Sequence, residues 1–74
     1  MYTVIRGTKT IDEFKAVRAA MEQAAAERSA QHRAACEDWT HGEPEKVWKD
    51  GDGTLCIEYE DGAWWHYGDN GEWW

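Results

Sequence analysis

Seventy-four residues carrying 15 Asp or Glu against 8 Lys or Arg, with a net charge of −7, describe one small acidic domain. That size argues against a deep cleft with its own supporting layer, hence against a stand-alone enzyme, and the acid excess argues against direct nucleic-acid binding, which needs clustered Lys and Arg. Two cysteines are too few for a disulfide framework, and no segment is apolar or long enough for a signal peptide or a membrane span. A cytoplasmic protein without a cofactor is expected.

The charge is unevenly spread. Residues 1–36 hold six Lys or Arg and four acids, a net of +2, and no Trp. From Glu37 onward there are eleven acids, two Lys, a net of −9 and all six Trp. Trp is rarely spent on a surface unless something docks there, and a field of one sign steers oppositely charged partners.

In chain order, Tyr2-Thr3-Val4-Ile5 is a β-prone run ended by Gly7, giving an edge strand and turn over 1–9. Thr10 reads as a helix N-cap with Glu13 completing a capping box. No Gly or Pro follows until Gly42, which predicts one long helix over 10–38. At 100° per residue Phe14, Val17, Met21, Ala24, Ala25, His32, Ala35 and Trp39 share a face, a core stripe expected to be thickest at its N-terminal end. Arg28 interrupts it and should lay its stem across the core. Ala16, Ala19, Ala26, Ala30 and Ala34 form a second row, explained by helix propensity or by packing against another helix.

Residues 39–44 read as a linker, with Pro44 preventing the helix from resuming. The period then changes to two. Strands are predicted at 45–49, 54–60, 63–67 and 72–74, separated by Asp50-Gly51-Asp52-Gly53, Asp61-Gly62 and Gly68-Asp69-Asn70-Gly71. The expected fold class is α+β, a β-α-β-β-β chain with one long helix on a small antiparallel sheet, its acidic Trp-rich meander spanning 45–74.

With Asp61-Gly62 as a two-residue loop, Tyr59 pairs with Trp64 and Ile57 with His66. Leu55, Ile57, Tyr59, Trp64 and His66 then face the helix, and Trp48 and Trp73 join them if the flanking loops hold two or four residues. The opposite face carries Cys56, Glu58, Glu60, Trp65, Tyr67 and Trp74, with Val47 and Lys49. One helix cannot cover both faces, so Trp65, Tyr67 and Trp74, rimmed by Glu58 and Glu60, are the expected partner-binding surface. An odd-length loop would exchange Trp64 with Trp65.

No motif carries chemistry. His32 and Cys36 have a helical metal-ligand spacing that Cys56, His41 or His66 could complete, but there is no Cys-x-x-Cys pair, and Cys56 faces away from the helix in this register. A core-margin histidine is the plainer reading of His32, and no metal site is expected. Asp50-Gly51-Asp52-Gly53 resembles a calcium loop only at its start, because Leu55 stands where the second glycine is needed. Glu58 and Glu60 lie about 7 Å apart on one strand face, without a cleft. Ser29 is the only serine and sits mid-helix.

The function expected is a non-enzymatic inhibitor or adaptor whose acidic, Trp-rich sheet binds another protein through a basic surface, for instance that of a nucleic-acid-binding enzyme. A phage counter-defence protein of the anti-CRISPR kind belongs to that class. The alternatives are a carbohydrate-binding module that uses exposed indoles and a structural protein that buries both aromatic faces as a homodimer.

Overall fold

The computed structural model describes residues 1–74. Its elements are β1 (Tyr2–Thr3), α1 (Ile11–Ala35), β2 (Pro44–Lys49), β3 (Leu55–Tyr59) and β4 (Trp64–Tyr67). The helix starts where the Thr10 hydroxyl accepts the Glu13 backbone N–H at 3.0 Å, while the Glu13 carboxylate accepts from Lys9 N at 2.7 Å, one residue before the cap. Asp12 and Glu13 at its start and His32 and Arg33 in its last turn complement the helix dipole. Arg33 then bonds the Gly42 carbonyl at 2.9 Å and the Glu43 carboxylate at 3.2 Å, and Trp39 Nε1 donates to the same carbonyl at 2.9 Å. These bonds turn the chain back toward β2. No helix is long and apolar enough to cross a membrane.

The sheet runs in the order β1-β2-β3-β4. β1 pairs with β2 in parallel, Tyr2 beside Lys46 and Thr3 beside Val47, with α1 as the crossover such strands require. The remaining pairings are antiparallel, so the sheet is mixed rather than wholly antiparallel as the sequence predicted. The last predicted strand is reduced to a bridge between Tyr67 and Trp73, extended by a pair of backbone bonds between His66 and Trp74.

Loop length decides which residues face the helix. Gly62 N–H donates to the Tyr59 carbonyl at 2.9 Å, Tyr59 N–H donates to the Ala63 carbonyl at 2.8 Å, and Gly62 has φ +89°. The loop is therefore three residues, Glu60-Asp61-Gly62, closed by a residue in the left-handed region where a Cβ would be strained. The same bonds recur between Asp50 and Thr54, closed by Gly53 at φ +80°, and between Gly68 and Glu72, closed by Gly71. Asp50 Oδ1 accepts from the N–H groups of Asp52 and Thr54, and Asp61 Oδ1 from Ala63, which rigidifies two of the three. No non-glycine residue takes positive φ, so only the Gly of each Asp-Gly or Asn-Gly pair turns over.

Odd loops reverse the facing of β2 and β4 relative to β3. The observed pairs are Ile57 with Trp65, Leu55 with Tyr67, Val47 with Ile57 and Trp48 with Cys56. Trp65, Tyr67 and Val47 consequently face the helix, while Trp64, His66 and Trp48 face away, the reverse of the two-residue-loop register. Leu55, Ile57, Tyr59 and Trp73 lie inside as predicted.

The core comprises Met21, Ala25, Val47, Leu55, Ile57, Tyr59 and Tyr67, with Ile5, Ala24, Trp39, Trp65 and Trp73 packed at its margin. Met21, Ala25, Ser29 and His32 supply the buried stripe of the helix. Phe14 and Val17, predicted to be core, are 41% and 37% exposed, and Ile11 is more open still. The reason is length. A 25-residue helix spans about 37 Å, whereas the longest strand, six residues, spans about 20 Å. The sheet underlies the C-terminal half of α1, and the N-terminal half overhangs it. A groove of about 690 Å³ runs beneath the overhang, between Val17 and Met21 on one side and Ile5, Lys46 and Lys49 on the other.

Candidate functional site on the outer sheet face

The face of the sheet turned from the helix is built from two cross-strand rows. Trp48, Cys56, His66 and Trp74 lie opposite one another in sequence across the strands, and Tyr2, Lys46, Glu58 and Trp64 form the next row. Cross-strand neighbours have Cβ atoms about 5 Å apart, and the His66 and Trp74 rings stack at 5.1 Å between centroids with the planes 2° apart. Trp64, two residues before His66 on the same face of β4, lies 5.1 Å from it, and Trp48 reaches across β3 to within 5.5 Å of Trp64. The Lys46 ammonium lies 5.3 Å from the centre of the Trp48 ring. Trp64 is 49% exposed and Trp74 57%, and no element of the chain crosses this face.

Of the five residues expected here, Trp74 and Glu58 are in place. Trp65 and Tyr67 are not, because the three-residue loop turns both beneath the helix. Glu60 sits in that loop, and its carboxylate accepts the Glu43 N–H at 3.0 Å instead of rimming the rings. Trp48, Trp64 and His66 are the platform residues that the two-residue-loop reading missed. The available signal was the recurrence of Asp-Gly, Asp-Gly and Asn-Gly at one fixed interval, nine residues, which marks three loops of equal geometry.

Beneath the helix Trp65 and Tyr67 join Trp39 and Trp73 in a cage around His32. Trp73 stacks on it at 4.5 Å, and Trp65 and Trp39 meet it edge-on at 4.7 and 4.9 Å. His32 Nδ1 lies 2.7 Å from Tyr67 Oη, which lies 2.6 Å from Tyr59 Oη. Burial, with His41 adding a smaller repulsion, pushes the His32 pKa below its ordinary value and favours the neutral ring. Burial likewise pushes Tyr59 and Tyr67 up. No buried side-chain nitrogen or oxygen lacks a partner. The cage is a polar core in which the buried side-chain atoms all have partners.

His41 bridges cage and surface. It packs edge-on against Trp39 and Trp65 at 4.9 and 5.0 Å, and its Nδ1 lies 2.6 Å from Asp61 Oδ2. The Ala63 N–H, followed by His41, holds the Asp61 carboxyl below its ordinary pKa.

The metal ligands weighed from the sequence are not brought together as a set. His32 is committed to Tyr67, and Cys36 does not converge with Cys56. Cys56 instead lies beside His66 and Asp50 at the edge of the outer face, where the His66 Nε2 to Asp50 Oδ2 distance is 3.6 Å.

No family model matches the chain, and neither a curated protein nor a solved structure does.

Proposed function

We propose that this is a non-enzymatic protein-binding module, an inhibitor or adaptor, that docks its partner on the outer face of the sheet. The observation that carries this reading is the series of touching rings Trp48, Trp64, His66 and Trp74, in which Trp64 and Trp74 are about half exposed with nothing of the chain above them. Half-exposed indoles packed on neighbouring rings are anchors of the kind that dominate binding energy. Acids gather at both ends of the sheet: Asp50, Asp52, Asp69 and Glu72 at one, Glu43, Glu60 and Asp61 at the other. They favour a partner whose apolar patch is flanked by Lys and Arg, such as the nucleic-acid-contacting surface of an enzyme, and they speed its approach.

A sugar ligand fits this face less well. Stacking on pyranose rings favours coplanar indoles, and Trp48 and Trp64 are tilted by 48°. Their step suits an irregular protein surface.

Capture of the partner from the native host by immobilised protein, followed by affinity measurement, tests the proposal. Trp64→Ala is expected to weaken the complex by about 2 kcal/mol while leaving the circular dichroism unchanged, and added salt should slow association. Wild-type affinity in both Trp64→Ala and Trp74→Ala would remove the outer face from consideration. Sedimentation of the chain alone should give a monomer, and a tight dimer would assign the face to a second copy.

A further inference from the structure

The edge of the outer face holds a second feature, which shares His66 and Trp74 with the docking surface. We propose that Asp50, Cys56 and His66 bind a thiophilic divalent metal ion of the zinc class, as three protein ligands with a fourth position open to solvent. The carboxylate, thiol and imidazole donor atoms all lie within 4.8 Å of one another. Tetrahedral zinc with bonds of 2.0–2.3 Å separates its ligands by roughly 3.3–3.8 Å, so the group closes on an ion with shifts of about 1 Å.

Each donor is already oriented. Asp50 Oδ1 accepts two backbone N–H groups in its turn, at 2.9 and 3.0 Å, which fixes the carboxylate and leaves Oδ2 facing His66 Nε2 at 3.6 Å. His66 Nδ1 lies 3.4 Å from the Trp74 carbonyl oxygen. A proton on Nδ1 donates there, which puts the lone pair on Nε2, and this is how metal-binding histidines are commonly held. The Trp74 ring stacked on the imidazole restrains its rotation. Cys56 is fully buried in β3, and its thiol donates a long hydrogen bond of 3.7 Å to the Thr54 carbonyl. Burial and the neighbouring Asp50 charge push this thiol up. On binding, Cys56 releases its proton to solvent and ligates as thiolate, and the cation neutralises the thiolate and carboxylate that otherwise repel.

A nucleophilic triad would require His66 to place one nitrogen on Cys56 and the other on Asp50. Here Nδ1 is turned to Trp74 and Nε2 faces Asp50, so neither nitrogen is placed on the thiol. The mixed sulfur, nitrogen and oxygen set selects zinc-like ions over calcium or magnesium, which take oxygen alone. The ion would tie the β2–β3 loop, β3 and β4 together, a cross-link that a chain of this size can use. Solvent reaches the site past Asp50 and His66, whose side chains are 27% and 26% exposed.

The test is cobalt(II) titration of the reduced full chain, with zinc(II) as competitor and no partner present. One ion per chain should bind, with a thiolate-to-cobalt charge-transfer band and the visible bands of four-coordinate cobalt, both erased by zinc. Cys56→Ser should lose the charge-transfer band, and Cys36→Ser should keep it. Asp50→Asn, which preserves the turn acceptor, should weaken binding at least as much as the roughly 10- to 100-fold seen when a ligand merely loses its hydrogen-bond partner. Because Cys56 is buried and its replacement can unfold the chain, histidine NMR on wild-type protein gives a second reading. Zinc should shift the His66 ring signals and leave those of His32 and His41 in place. The proposal is overturned by a wild-type chain that gives no four-coordinate spectrum, by a band that survives Cys56→Ser or vanishes in Cys36→Ser, or by zinc shifts confined to His32 or His41.

Discussion

Trp64 and Trp65 are adjacent in β4, yet Trp65 packs on His32 and Tyr59 beneath the helix while Trp64 stands half exposed between Trp48 and His66. The two faces have similar inventories: several indoles and a histidine in ring contact with them, His32 inside and His66 outside. What differs is the cover. Under α1 the rings enclose His32, burial favours its neutral form, and no buried side-chain nitrogen or oxygen lacks a partner. On the outer face the same residue types keep solvent contact, which leaves them free to bind. A ring's role in this chain is therefore assigned by the parity of its loop rather than by its own chemistry.

The contrast is sharpest in stability. Ile57→Ala, at a fully buried site, is expected to cost about 2–5 kcal/mol in urea unfolding, while Trp64→Ala should cost about 1 kcal/mol or less. Equal losses would break the comparison. Tyr67→Phe comes next. It removes the hydroxyl that links His32 to Tyr59, orphans both partners, and should cost about 1–3 kcal/mol.

Acid sensitivity sharpens the same point. Because the folded pKa of His32 lies below its ordinary 6.5, the unfolded chain takes up this proton first as pH falls. The contribution of His32 is fully present above 6.5 and is lost as pH drops through that value toward the folded pKa. Melting temperature followed against pH should show this fall, and His32→Gln should flatten it. In the alkaline direction the raised Tyr59 and Tyr67 contribute stability that is whole below 10 and declines as pH rises above it. The smallest effect belongs to the overhang, where Phe14→Ala should change unfolding free energy by about 0.5 kcal/mol, a near-silence that a true core phenylalanine would not allow.

The helix cap at Thr10, the helix face through Met21, Ala25 and His32, and the meander were legible in the sequence because each rests on local rules of spacing, capping and turn composition. Facing was not. β3 was assigned correctly on its own apolar alternation, and β2 and β4, each one odd loop away, came out reversed. Trp73 and Trp74, two odd loops away, came out right because two parity errors cancel. Asp-Gly is compatible with both two- and three-residue loops, and only the backbone bonds of Gly62 and Gly53 distinguish them. The outer aromatic face was consequently read one residue out of step, with Trp65 and Tyr67 in place of Trp64 and His66. Cys56 was placed on the outer face, but its neighbour His66 was put in the core, which hid the Asp50–Cys56–His66 group. Phe14 and Val17 were misplaced for another reason: helical periodicity reports a face, and it cannot report where the sheet beneath that face ends.

Residue-resolved oxidation of the six indoles in the native chain, read by mass spectrometry, tests the division between the faces most directly. Trp64 and Trp74 should be modified first, and Trp65 and Trp73 should be protected until the protein unfolds. Modification of Trp65 ahead of Trp64 would mean that the two-residue loop is the true one, and would return Trp65 and Tyr67 to the surface.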